Sequence, residues 1–344
     1  MSFHGHFDDH DERLVFTSPD KDRRFRGKHL LSVSQFSRKD LDEYIFPLAD
    51  TIRDTLSNDG EFSTLHGKIV TLVFYEPSTR THQSFSSAAS LLGAITKDIV
   101  GMQFSSVSKG ETLPDTIRTL ACYKSQAIVL RHPDEGSVAL AAKYAQCPVI
   151  NAGDGKGEHP TQALLDLYTI RRHLGRIDGQ TVTMVGDLKH GRTVHSLARL
   201  LTLYDGVKIN FVSPPELRMP PEFISTLRGY GVAPEEYDRL EDVIGRTNVM
   251  YVTRVQKERF PTVEAYEAVK GSYAITPQTL AHAPERGKFI LMHPLPRVDE
   301  IAMEVDADPR AVYFPQVKNG LYVRMALLAL FSGRQGARHY PNDR

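Results

Sequence analysis

The sequence predicts an α/β fold of two doubly wound domains, each a parallel sheet flanked by helices, with a C-terminal helix returning to the first domain. Three observations carry this. Short β-branched apolar runs alternate with stretches of helical periodicity, the pattern of repeated βα units. Several runs end in polar turns that open directly into the next helix. At 344 residues the chain is long enough for two separate cores.

Composition narrows the classes. Forty-two basic residues balance 42 acidic ones, which argues against a broad nucleic-acid-binding surface. Cys122 and Cys147 lack CxxC spacing, so neither a disulfide framework nor a zinc site is indicated; their apolar neighbours place both in the core. No apolar run is long enough to span a membrane. The opening residues have neither a basic start nor an apolar core, so the cytoplasm is the expected compartment.

Residues 1–27 are polar and aperiodic and read as an N-terminal arm. Ser37 then opens a helix with Leu41, Ile45, Leu48 and Ile52 on its apolar face. The run Lys68-Ile69-Val70-Thr71-Leu72-Val73 is a buried strand, and Phe85, Ala88, Ala89 and Leu92 recur at helical spacing beyond it. Between them lies Glu76-Pro77-Ser78-Thr79-Arg80-Thr81: strand, tight turn, helix N-terminus. Unpaired backbone N–H groups and the positive end of the helix dipole suit an anion there, and hydroxyls with an arginine add donors that match phosphate oxygens. A helix cap beside a surface arginine is the plainer reading, but four consecutive donor residues exceed what a cap needs.

An apolar stretch over residues 99–104 leads into a Ser/Gly loop containing Ser105 and Lys109, which is either a surface charge or part of a movable lid. A helix follows over residues 115–123. The strand Ala127-Ile128-Val129-Leu130 delivers Arg131-His132-Pro133 at its carboxyl end, where open α/β sheets bind ligands. A helix over 138–144 and a strand at Val149-Ile150 come next, then His159 ahead of a helix over 163–173. The domains join near residues 154–161, with the strand ends of the two domains expected to face a cleft.

The second half repeats the alternation. A strand and turn over 181–188 precede a helix opening at Arg192. The GxGxxG fingerprint is absent, and the next strand, 208–212, ends at Ser213 where a ribose-binding acid would stand, which disfavours a nicotinamide cofactor. Strands over 248–252 and 289–292 end in Thr253-Arg254-Val255-Gln256 and His293-Pro294-Leu295-Pro296. An apolar helix over 321–331 closes the chain.

These strand ends carry a resemblance. Ser78-Thr79-Arg80-Thr81, Lys109-Gly110-Glu111, Arg131-His132-Pro133, His159-Pro160-Thr161-Gln162, Gly191-Arg192-Thr193-Val194-His195-Ser196, Thr253-Arg254-Val255-Gln256-Lys257-Glu258-Arg259 and His293-Pro294-Leu295-Pro296-Arg297 are similar to the pattern of aspartate carbamoyltransferase catalytic chains, in the aspartate/ornithine carbamoyltransferase superfamily. The likeness runs from about residue 27 to about 334. An ornithine enzyme would carry a cysteine where Pro294 stands.

The resemblance implies carbamoyl transfer from carbamoyl phosphate to L-aspartate, early in pyrimidine synthesis, with no metal or organic cofactor. It implies a carbamoyl phosphate-binding domain over 28–160, completed by a helix at 318–334, and an aspartate-binding domain over 161–317. Ser78, Thr79, Arg80 and Thr81 would cradle the phosphate. Thr81, Arg131 and His159 would face the carbamoyl oxygen, and Gln162 with the Pro294 and Leu295 carbonyls the carbamoyl NH₂. Arg192 and Arg254 would take the two aspartate carboxylates, with Gln256 and Lys109 assisting and Glu76 bridging to Arg192 and Arg259.

The same resemblance implies a homotrimer in which Ser105 and Lys109 enter a neighbouring subunit's site. Regulatory chains or other pyrimidine-pathway enzymes are the further partners it suggests. Two alternatives stay open at this point: a carbamoyltransferase for another amino acid, and a non-catalytic scaffold subunit.

Overall fold

The computed structural model describes residues 6–8, 11–15, 22–101, 109–255, 262–267 and 273–333. They form two compact units. One comprises Met1–Thr161 with Leu321–Arg344, the other Gln162–Gly320.

The first unit begins with an antiparallel pair, β1 (His6–Asp8) and β2 (Asp11–Val15), and a short helix Asp22–Phe25. Phe25 is buried, its ring 5.8 Å from Tyr44 and 5.4 Å from Phe331. Ser37 caps the following helix through its side chain, as expected of that residue type. The helix passes through a π-helical stretch, Leu41–Ile45, before running on as Phe46–Ser57, and Leu41, Ile45, Leu48 and Ile52 are all buried.

The sheet of this unit is parallel throughout, in the order β4 (Ile95–Val100), β3 (Ile69–Phe74), β5 (Ser125–His132), β6 (Val149–Asp154). Helices cover it and bury Phe85, Ile117, Leu120, Val138 and Ala141, which explains why β3 reads as an unbroken apolar run. The edge strand β4 starts at Ile95, ahead of the apolar stretch beginning at Ile99; Ile95, Lys97, Asp98 and Val100 are exposed, so no buried apolar run marks its start. The core placement is corrected for Cys122, whereas Cys147 packs against the edge of the first unit's core. Cys122 is exposed at the end of the helix Leu113–Cys122, whose buried face is carried by Thr116, Ile117 and Leu120; Cys147 is half-buried, and burial pushes its thiol up to about 11.

The second unit has a five-stranded parallel sheet, ordered β11 (Ile290–Met292), β10 (Val249–Val252), β7 (Thr181–Val185), β8 (Lys208–Val212), β9 (Glu235–Tyr237). Its core joins Val185, Val252, Leu291 and Tyr313. The final helix runs Tyr313–Ser332, beginning ahead of the expected Leu321, and its later part belongs to the first unit. There Arg324 Nη1 donates to Ser84 Oγ at 2.8 Å, and Gln126 Nε2 donates to the Ser332 carbonyl at 2.9 Å. Among the described residues no helix is long and apolar enough to cross a membrane.

Each strand order contains one reversal. The chain leaves β3 for β4 and then returns across to β5; it leaves β7 for β8 and β9 and then returns to β10. Ligands of open α/β sheets bind beyond the carboxyl ends of strands at such reversals.

Candidate active site

In the first unit the reversal lies between β3 and β5, and the predicted residues gather at its carboxyl end. Phe74 is in register with Arg131, and the Tyr75 N–H donates to the Arg131 carbonyl at 2.9 Å. Pro77 stops the strand, and the helix Thr79–Leu91 opens immediately after Ser78. Ser78 occupies the cap position without a side-chain capping bond. Its hydroxyl is therefore not used as a cap, which favours the anion reading of this turn. Thr79 and Arg80 are exposed, whereas Thr81 is buried and turned into the unit.

Arg131 is mostly buried. Its Nε lies 3.2 Å from Glu76 Oε2, and its Nη1 donates to the Ala152 carbonyl at 3.3 Å. Burial, with the Arg80 charge adding to it, lowers the Arg131 guanidinium below its ordinary value while Glu76 opposes the shift. Glu76, expected beside Arg192 and Arg259, thus has Arg131 against it; Arg259 lies outside the described residues.

His159 stands directly before the helix Pro160–Leu174 and is buried, with Nε2 3.4 Å from Thr81 Oγ1. Glu158 anchors the preceding loop: its carboxylate accepts from Ser32 Oγ at 2.9 Å and from the Val33 N–H at 2.7 Å. A guanidinium, a hydroxyl and an imidazole are thereby drawn to one rim beside the N-terminus of the helix Thr79–Leu91. Lys109 is exposed ahead of the helix Leu113–Cys122, and Ser105 lies outside the described residues.

In the second unit the reversal lies between β7 and β10, with Val185 and Val252 in register. Arg192 is the first residue of the helix Arg192–Leu201 that follows β7, and Arg254 follows β10, so two half-buried guanidiniums leave adjacent strands at the same end. Gly186 has φ +111°, and a Cβ there would meet the Thr253 carbonyl oxygen at 2.4 Å. That close approach lets Thr253 bond back to the Val185 carbonyl and sets the path of Arg254. Gln256 lies outside the described residues.

The turn after β11 carries Pro294 and Leu295, both half-buried. Leu295 has φ +56°, and its N–H donates to His293 Nδ1 at 2.7 Å. His293 Nε2 faces Glu300 Oε1 at 2.8 Å, and the His293 N–H donates to Gln316 Oε1 at 3.0 Å. Gln162, in the first turn of its helix, donates from Nε2 to Asp166 Oδ1 at 2.8 Å. Sequence reading singled out neither Asp166 nor Gln316. The available signal was a lone acid in Leu164-Leu165-Asp166-Leu167-Tyr168, four residues after Gln162. Among the described residues no cluster of three or more His, Cys, Asp or Glu side chains could hold a metal ion.

Both halves of the chain match known families. Residues 28–172 match the family model for the aspartate/ornithine carbamoyltransferase carbamoyl-P binding domain, and 178–331 match that for the Asp/Orn binding domain. The chain is 54% identical over 314 residues to the multifunctional protein pyr1-3 of Dictyostelium discoideum, covering 91% of this chain but only 14% of that protein's length. It is 49% identical over 309 residues to the aspartate carbamoyltransferase catalytic subunit of Thermococcus onnurineus, covering 90% of this chain and 98% of that one. A crystal structure of Trypanosoma cruzi aspartate transcarbamoylase, in complex with carbamoyl phosphate and aspartate, superposes with a TM-score of 0.84 at 41% identity, covering 89% of this chain and 97% of the other.

Proposed function

The chain belongs to the aspartate/ornithine carbamoyltransferase family, and from that premise we propose that it transfers the carbamoyl group of carbamoyl phosphate to the amino group of L-aspartate, giving N-carbamoyl-L-aspartate and phosphate, in pyrimidine biosynthesis. The observation that carries this reading is the placement of complementary donors at the two sheet reversals. One unit offers a helix N-terminus with Arg80 and Arg131 nearby; the other offers Arg192, at the start of the helix after β7, and Arg254, just after the adjacent strand β10.

Phosphate is held by the Ser78–Thr81 turn, where backbone N–H groups and Arg80 meet its negative charge. The aspartate amine attacks the carbamoyl carbon, an N–C bond forms and negative charge grows on the carbonyl oxygen. Thr81, Arg131 and His159 are the donors for that oxygen, fixed before the reaction begins. The C–O bond to phosphate then breaks, and the amine proton passes to the departing phosphate, so the residues need only bind and orient. Gln162 and the Pro294 and Leu295 carbonyls accept from the carbamoyl NH₂. Arg192 and Arg254 fork onto the aspartate carboxylates, with Gln256 assisting.

The same reading makes the enzyme a homotrimer, with Ser105 and Lys109 serving a neighbouring site. The edge strand β4, which among the described residues pairs with β3 alone and exposes Ile95 and Val100, supports an interface in the first unit. Relatives occur both as standalone catalytic subunits and within multifunctional proteins, so regulatory chains or other pathway enzymes are the partners this reading expects. Both cysteines are free, which fits a reducing cytoplasm. The test is turnover of carbamoyl phosphate with aspartate against ornithine and other amines: aspartate should be preferred by orders of magnitude. Equal or better turnover of ornithine would overturn the assignment.

A further inference from the structure

Gln162 needs its amide the right way round. To accept a hydrogen bond from the carbamoyl NH₂ it must present Oε1; rotated by half a turn it would present Nε2, donor against donor. The two orientations have nearly the same shape, so only hydrogen-bond partners choose between them.

The structure supplies that choice. Asp166, one helical turn beyond Gln162, is completely buried. Its Oδ1 accepts from Gln162 Nε2 at 2.8 Å and from Gln316 Nε2 at 2.7 Å, and its Oδ2 accepts from the Tyr251 hydroxyl at 2.7 Å. Tyr251 is fully buried, and that burial, with the Asp166 charge, raises its phenol well above the ordinary value, so it stays a donor. Gln316 is held in turn by the His293 N–H. Asp166 therefore cannot rotate without breaking three bonds.

We propose that Asp166 is a positioning residue: as an acceptor-only carboxylate it binds Gln162 Nε2 and so turns Oε1 toward the carbamoyl NH₂. This rests on the proposed reaction and adds to it a determinant of which face Gln162 shows. A carboxylate offers nothing that Oε1 could accept, so the rotated amide is excluded. An asparagine at 166 has the same outline but can donate from Nδ2, and it would admit the wrong orientation.

The experiment is a double-mutant cycle read on both turnover and calorimetric binding of carbamoyl phosphate. Asp166→Asn should lower kcat/KM for carbamoyl phosphate by about 10- to 100-fold, the scale of mismatching one buried polar contact. In a Gln162→Ala background the same change should cost less than about twofold, since the group it orients is gone. The exchange Asp166→Asn with Gln162→Glu keeps the net charge and the pair, and both oxygens of a glutamate accept. It should recover at least about threefold over Asp166→Asn alone, and it remains informative where the single variant folds poorly. An equal loss in both backgrounds, or no recovery in the exchange, would overturn the proposal and leave Asp166 a stabilising residue only. Loss of the proposed reaction itself would show separately, as an unaltered chain that does not turn over aspartate.

Discussion

Replacing Arg131 by methionine tests whether the first unit stabilises charge on the carbamoyl oxygen. Methionine keeps the length and apolar packing of the buried stem and removes the guanidinium. Loss of one preorganised donor from a developing oxyanion costs about 10²–10³ in kcat, or roughly 2.7–4 kcal/mol of barrier. The cost in stability should be smaller. The Arg131 side chain is 13% exposed and its partner Glu76 is 32% exposed, so the orphaned carboxylate can take up water. Breaking a fully buried pair costs about 3–5 kcal/mol, and partial exposure of Glu76 brings the expected loss to about 1–2 kcal/mol. The assay is steady-state kinetics with carbamoyl phosphate varied at saturating aspartate, with a denaturant titration and calorimetric binding of inorganic phosphate. Phosphate affinity should change by less than tenfold, because the Ser78–Thr81 turn remains. A folded variant with kcat within about threefold of the unaltered chain would refute the role. So would a loss of phosphate binding as large as the loss of kcat, which would move Arg131 to the phosphate.

The remaining predictions concern the second unit, assembly and pH. Arg254→Ala should raise KM for aspartate by about tenfold or more, the scale of a lost charged contact, while KM for carbamoyl phosphate changes little; equal damage to both would contradict the division of labour. Mixing Lys109→Ala with Arg80→Ala, then dissociating and reassembling the oligomers, should restore part of the activity if sites are shared between subunits. Mixed oligomers confirmed by mass but still inactive would place Lys109 in its own chain's site. Burial lowers His29, His132, His173 and His195 from the usual 6.5. Below that pH the unfolded chain binds more protons than the folded one, so stability should be full above about pH 6.5 and fall as pH drops toward the lowered values. Denaturant titrations at pH 7.5 and 5.5 check this, and His195→Asn should flatten the slope; a steeper slope in that variant would contradict the sign.

The strand, turn and helix around Ser78 were legible because sequence and structure are local there: an apolar run, a proline stop and donors at a helix start sit within a dozen residues. Arg131, His159, Arg192 and Arg254 were legible for a related reason, since each closes a strand or opens a helix. The support of Gln162 was not. Asp166, Tyr251 and Gln316 are far apart in sequence, and each is an ordinary residue in its own segment. Only the folded second unit makes them one network. The start of the edge strand β4 leaves little mark in the sequence because most of the strand is exposed. Cys122 was misplaced because apolar sequence neighbours do not report which face of a helix a residue occupies. Leu295 in the left-handed region carries no sequence mark at all, since leucine rarely adopts it.

The helix Tyr313–Ser332 passes from the second unit into the first, where it braces the Thr79–Leu91 helix through Arg324 and Ser84 and packs Phe331 on Phe25. On the ribosome this gives the chain an inverted order of maturation. Strands β3 to β6 are translated first, yet residues 321–333 emerge only after the whole of the second unit. Until then Phe25 and Phe85 wait without the partners they have in the finished protein, Phe331 and the Arg324 guanidinium 5.2 Å above the Phe85 ring. The nascent first unit therefore exposes this apolar surface until the last helix is made, and the helix that follows the Ser78 turn gains its brace from Arg324 to Ser84 only when that helix docks.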